Sequence, residues 1–202
     1  MFWFKRNDAD GISPRDRRFA SAAEIQGTFE ELNEELLWLA EVITGDAGVA
    51  AECVINATKL SQNQSTIFRE WLAQWARHAT VRSSIEHMRA RISSVAKVKY
   101  QHVHCPHGGH EVLSSAEAAA LRQWPAMTLA ALLDPFSRAV LILRGVEHAV
   151  IQDCALTLNV PRGAVLAAYC GAFGRLSRGT ASQRAQSNVH EPSGVLAENV
   201  LV

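Results

Sequence analysis

Residues 133–176 read LDPFSRAVLILRGVEHAVIQDCALTLNVPRGAVLAAYCGAFGRL, and the division of this stretch decides the fold. Asp134-Pro135 is a helix start, with Asp as cap and Pro at the first helical position. A second helix carries Cys154, Ala155 and Leu158 on its inward side. Asn159 takes the position after it, where positive φ is needed and Asn is the next best residue to Gly. Val160 plugs the turn, and Val165 and Tyr169 face inward from a third helix. Two helices crossing around a short turn form a helix-turn-helix, whose second helix enters the major groove and reads bases with its N-terminal residues. Those residues are Arg162, Gly163, Ala164 and Leu166, with Arg175 and Arg178 placed near phosphates. An ordinary helical hairpin uses the same apolar spacing.

The rest of the chain is also helical in pattern. Thr28-Phe-Glu-Glu31 is a capping box. Apolar residues follow at Phe29, Leu32, Leu36, Leu39, Ala40 and Ile43, one face of a helix. Thr44-Gly45 stops it, Gly suiting the left-handed position past the last turn. Asp46 caps a helix carrying Val49, Ala50, Cys53, Val54 and Ala57, and Lys59 to Thr66 is polar and loop-like. A longer helix then has Phe68, Trp71, Leu72, Trp75, Ala79 and Ile85 on its apolar side. Ser114 to Glu117 is a second capping box, and Pro125 must interrupt the helix it opens. No window alternates with period 2, so a sheet is not expected. The expected fold is all-α, with two small helical domains and a helix-turn-helix in the second. Residues 1–27 form a loose leader, 28–92 the first domain, 93–113 a His-rich linker, 114–178 the second domain and 179–202 a disordered tail.

Three segments carry a resemblance. FSRAVLILRGVE (136–147) is similar to the helix that precedes the helix-turn-helix in the C-terminal DNA-binding domain of bacterial sigma factors. LLWLAEVITGDAGVAAECV (36–54) resembles the start of the sigma core-binding domain, and FREWLAQWARHATVR (68–82) its later helix. Their order fits the small two-domain extracytoplasmic-function type of sigma factor. The resemblance covers residues 29–92 and 128–178. It implies a transcription initiation protein whose partners are RNA polymerase core, double-stranded promoter DNA and an anti-sigma factor. It also implies that Ala51, Glu52, Ile55 and Asn56 lie on the polymerase clamp. Arg77, His78, Arg82, Arg89 and Arg91 would meet the upstream element and the melted strand, whose bases are captured by stacking and pockets. Trp71 and Trp75, spaced i, i+4 among apolar residues, are read as core rather than as stacking platforms.

The chain departs from that family pattern. Leu166 and Ala168 stand where the recognition helix usually carries Lys and Arg, and each lost phosphate contact removes a salt-sensitive increment of affinity. Pro161 replaces the usual Ser cap, a loss of about 1 kcal/mol. Gly163, Gly171 and Gly174 each weaken a helix interior by about 1 kcal/mol relative to Ala. Lys+Arg and Asp+Glu number 20 each, so the net charge is zero, whereas an autonomous nucleic-acid binder is usually basic. A sigma-derived regulator or scaffold that has lost promoter recognition and acts through protein contacts is therefore the competing expectation.

Composition bounds the remaining classes. Hydrophobic residues make up 48% of the 202, enough for a packed core. No apolar run reaches the ~18 residues of a membrane span, and MFWFKRND is too short and too charged for a signal peptide. The four cysteines (Cys53, Cys105, Cys154, Cys170) form no CxxC pair and no disulfide-like framework. Cys53, Cys154 and Cys170 read as reduced core thiols, so the expected location is cytoplasmic. His102, His104, Cys105, His107 and His110 are zinc-type ligands, but their spacing matches no standard module and a solvated linker is the preferred reading, with no cofactor. A pH-responsive hinge ranks below both. There is no P-loop, G-x-S-x-G or H-E-x-x-H, and the chain is not expected to be an enzyme.

Overall fold

A computed structural model describes residues 18–64, 66–100 and 113–187, with side chains as far as Leu176. Every regular element among them is helical; the one β-bridge pairs Phe19 with Phe68. The helices are α1 (Ala22–Glu31), α2 (Asn33–Thr44), α3 (Ala47–Gln62), α4 (Leu72–Lys99), α5 (Ser115–Arg122), α6 (Ala126–Leu132), α7 (Pro135–Val140), α8 (Ile151–Leu158) and α9 (Arg162–Ser187).

Local chemistry explains most boundaries. Gly45 ends α2 at φ 74°, and the Asp46 side chain accepts from the Val49 amide at 2.9 Å to start α3. Ser114 and Glu117 close their capping box at 2.7 to 3.3 Å. Pro125 separates α5 from α6, and Asp134 accepts from the Ser137 amide at 2.9 Å with Pro135 in the first turn of α7. Beyond α7 the helix widens into a π-helical turn over Leu141–Val146, where the Glu147 amide reaches back to the Ile142 carbonyl at 2.9 Å.

Several expected boundaries move. The first described helix, α1, starts before Thr28: the capping box that opens it is Ser21 with Glu24. Thr28 lies inside α1, where its hydroxyl donates to the Glu24 carbonyl at 3.0 Å, and the expected single helix from Phe29 to Ile43 is broken at Leu32. Lys59 to Gln62 extend α3 instead of forming a loop, and α4 continues through the expected linker start to Lys99. The helix α9 runs past 178 to Ser187. The buried stripe of α4 is Ala76, Thr80, Val81, Ser84, Ile85, Met88, Ile92 and Ala96, so the core expectation fails for Trp71, which is 57% exposed, while Trp75 is half-buried.

The helices expected to form two domains share one contiguous buried cluster. Helix α2 lies at its centre: Leu36, Leu39, Ala40, Val42 and Ile43 are fully buried, and α2 packs on α3 and α4 as well as on α6 and α7. Polar contacts tie the halves together. The Trp38 indole N–H donates to the Trp124 carbonyl at 2.9 Å, and Arg122 reaches Glu35 at 3.1 Å. Tyr100, at the end of α4, donates to Asp134 at 2.8 Å and shares a 2.7 Å hydrogen bond with Ser137. Gly45 has a second role here, since a Cβ at that position would lie 2.6 Å from a guanidinium nitrogen of buried Arg138.

Candidate nucleic-acid interface

The turn between α8 and α9 is three residues long, and its shape follows from its sequence. Asn159 adopts φ 53°, ψ 54°, the left-handed conformation expected of it. The Val160 amide then donates to the Ala155 carbonyl at 3.0 Å, and Val160 packs against the core. Cys154, Ala155, Leu158, Val165 and Tyr169 are all buried, as their spacing predicts. The Tyr169 hydroxyl accepts from the Leu113 amide at 3.2 Å, which anchors α9 to the start of α5. The Pro161 carbonyl accepts from the Ala164 amide at 3.0 Å, so α9 begins without a side-chain cap at that position.

The exposed chemistry of this region is sparse. Arg162 and Gly163 are exposed, Leu166 is half-buried, and Ala164 is 5% exposed and belongs to the core. Ala164 therefore cannot read a base in this packing. The Arg162 guanidinium donates to the Gln152 side chain across the turn. A shallow depression of about 360 Å³ lies beside it, lined by Gln152, Leu156 and Asn159 among others. Leu156 in that lining is 68% exposed, and Val150, the residue before α8, is 55% exposed. Arg175 is half-buried and lies 3.7 Å from Asp134, which also holds Lys99 at 3.0 Å. Arg178 lies beyond the described side chains.

The second candidate surface belongs to α3 and α4. Glu52, Ile55 and Asn56 are exposed along one face of α3, with Ala51 half-buried beside them. On α4, His78 and Arg82 are exposed, whereas Arg77 is half-buried and 3.7 Å from Glu35. Arg89 is paired with Glu86 within its own helix. Between the helices runs a groove of about 970 Å³. Its lining includes His78, Arg82 and Asn56 from the expected set, but also Lys59, Leu60 and His87, which sequence reasoning passed over. A signal existed: positions 75, 78–79, 82–83 and 86–87 recur on one stripe of a helix.

Two electrostatic settings mark the junction between halves. Burial pushes the Asp134 carboxyl up, but hydrogen bonds from the Ser137 amide, Lys99 and Tyr100 outweigh it and hold the group below its ordinary value. Burial pushes the Glu147 carboxyl above its ordinary value, against the opposing pull of Arg77, His78 and Arg122.

The thiols divide. Cys53 and Cys154 are free and buried, and burial raises the Cys154 thiol to about 11. Cys170 is disulfide-bonded, which corrects its expected state as a reduced core thiol. The His102, His104, Cys105, His107 and His110 patch lies outside the described residues, so its zinc reading stays where the sequence left it. Among the described residues no helix is long and apolar enough to cross a membrane. Comparison with protein-family models, curated proteins and solved structures finds no match to this chain.

Proposed function

We propose that this chain is a sigma-factor-like transcription initiation protein that binds RNA polymerase core and promoter DNA and performs no catalysis of its own. One observation carries the reading: α8 and α9 are joined by a three-residue turn with Asn159 in the left-handed conformation and an exposed Arg162 opening the second helix. A helix N-terminus presented this way can enter a major groove. The α3 face of Glu52, Ile55 and Asn56 is the polymerase contact in this reading, and His78 and Arg82 face the nucleic acid. The test is binding of the purified protein to RNA polymerase core from its native host, at two salt concentrations, followed by run-off transcription. Specific transcripts support it; no binding at either salt overturns it.

A second reading is favoured by the exposed Leu156 and Val150 beside a second helix whose described cations are Arg162, bonded to Gln152, and Arg175, paired with Asp134. Here the protein is a sigma-derived regulator or scaffold that acts through protein contacts at that face. Specific initiation by the protein with core enzyme would rule this out. Binding without initiation would favour it.

A further inference from the structure

We propose that the groove between α3 and α4 is a binding site for a small organic anion with a flat apolar body, such as an aromatic carboxylate. At about 970 Å³ the groove is the size of a site that encloses one small molecule. Its floor is formed by Cys53, Ala57, Trp75 and Ala79, and Cys53 and Ala57 are buried. The Trp75 indole N–H donates to the Ser61 hydroxyl at 3.0 Å. With that donor satisfied, the ring offers a ligand hydrocarbon surface rather than a hydrogen bond.

The lips carry two formal cations, Lys59 and Arg82, and two imidazoles. Lys59 comes from α3, and Arg82, His78 and His87 come from α4. Glu86 is the acid of the lining, and its carboxylate is held by the Arg89 guanidinium, with Nε at 2.8 Å. Arg82 also acts on that carboxylate electrostatically, and the lining carries two formal cations, Lys59 and Arg82, against one acid that Arg89 already binds. A carboxylate between Arg82 and Lys59, with a ring laid on the floor, satisfies both the cations and the apolar floor. Charge-assisted hydrogen bonds of this kind are about twice as strong as neutral ones.

Size and field separate this ligand from a nucleic-acid strand. A strand needs a run of cations that tracks successive phosphates, and among the described lining residues the formal cations are the pair Lys59 and Arg82, at one groove. The net charge of zero also supplies no long-range field to gather a polyanion. The proposal does not depend on the transcription reading. The two share His78 and Arg82 on α4 and Asn56 on α3, so an occupied groove would compete with a strand or with the polymerase contact there.

Calorimetric titration of the full chain with 2-naphthoate, in the absence of polymerase and DNA, tests the proposal. One-to-one binding is expected, with neutral 2-naphthalenemethanol at least about tenfold weaker. Arg82→Gln, at an exposed position, should weaken naphthoate by about tenfold. Ser83→Trp, which fills the groove from α4, should abolish binding while the thermal melt stays cooperative. No naphthoate binding, equal binding of the neutral analogue, or unchanged binding by the Ser83→Trp variant would each overturn it. A result in which oligothymidylate binds and naphthoate does not would also overturn it, and would leave the transcription reading standing.

Discussion

Around the α8–α9 turn the described residues pack closely and carry few exposed charges, Asp153 on α8 and Arg162 at the start of α9. Along α3 and α4 the packing leaves an open groove, and cations gather at its lips. The first region is a closely built turn with little charge on its described surface. The second carries cations without a continuous track. Backbone geometry and surface charge are thus set by different residues: Leu158, Asn159 and Val165 fix the turn from below, and nothing in that packing dictates what projects from the other side of α9.

The largest test strikes the packing. Leu158 is 1% exposed at the base of the turn. Leu158→Ala should cost about 3 kcal/mol, from lost burial plus the cavity left behind. Urea unfolding reads this as a lower midpoint at an unchanged slope. A loss below about 1 kcal/mol would mean that the turn is not built on the shared core.

Next comes the junction of the halves. Asp134 caps α7, and it pairs with Lys99, Arg175 and Tyr100. Asp134→Ala removes a cap and takes one partner from the buried Tyr100 hydroxyl and from two cations, a loss of about 2 kcal/mol. Because its folded pKa is lowered, the stability it contributes is present above the unfolded carboxyl value and disappears as pH falls through the folded one. Asp134→Asn should flatten that part of the acid limb in a pH series of unfolding midpoints. An unaltered acid limb would show that the charge is not felt by the fold.

A smaller effect is expected at the turn itself. Asn159 sits at φ 53°. Asn159→Ala should cost about 1 kcal/mol and Asn159→Gly much less, since only the former meets the Cβ penalty of the left-handed region. Equal losses in the two variants would place the role of Asn159 in its side chain instead.

The Glu147 carboxyl behaves oppositely to Asp134. Its folded pKa is raised, by burial first. The stability linked to its protonated form is present below the unfolded value and is lost as pH rises through the folded one. Glu147→Gln should therefore be more stable than the parent at neutral pH, by less than the Asn159→Ala loss, and the difference should vanish in acid. A neutral-pH loss would mean that attraction to Arg77, His78 and Arg122 outweighs burial.

What was legible in the sequence was local. Gly45, Asp46, Ser114, Pro125, Asp134 and Asn159 each act on their own backbone, so their roles follow from residue type and immediate neighbours. The end of α3 and the length of α4 were not, because polar residues such as Ser61 and Ser84 are buried on helix faces by packing that no local window contains. The same holds for the merging of two expected domains into one core. Helix α2 reads as a one-faced amphipathic helix from Leu36 to Ile43, and its second buried face becomes visible only when α6 and α7 lie against it. The disulfide at Cys170 was hidden for a related reason, since an apolar helical setting suits a reduced thiol equally well. The backbone of the α8–α9 turn was legible from Asn159, and the groove was not, because its lining joins residues of two helices that no local window contains.

The smallest effect on stability is expected where the function is at stake. Arg162 is exposed, and its contact with Gln152 lies in solvent. Surface substitutions away from caps and core usually fall within about 0.5 kcal/mol, so Arg162→Gln should unfold like the parent. Its effect on DNA is separable. If Arg162 touches a phosphate, the variant with core enzyme should lose affinity evenly across promoter sequences, and the salt dependence should drop by about one ion. If it reads a base, the loss should concentrate at one promoter position, at about 1 to 3 kcal/mol. Unchanged promoter binding would leave the α8–α9 surface with geometry alone, and would assign its exposed Leu156 and Val150 to a protein partner.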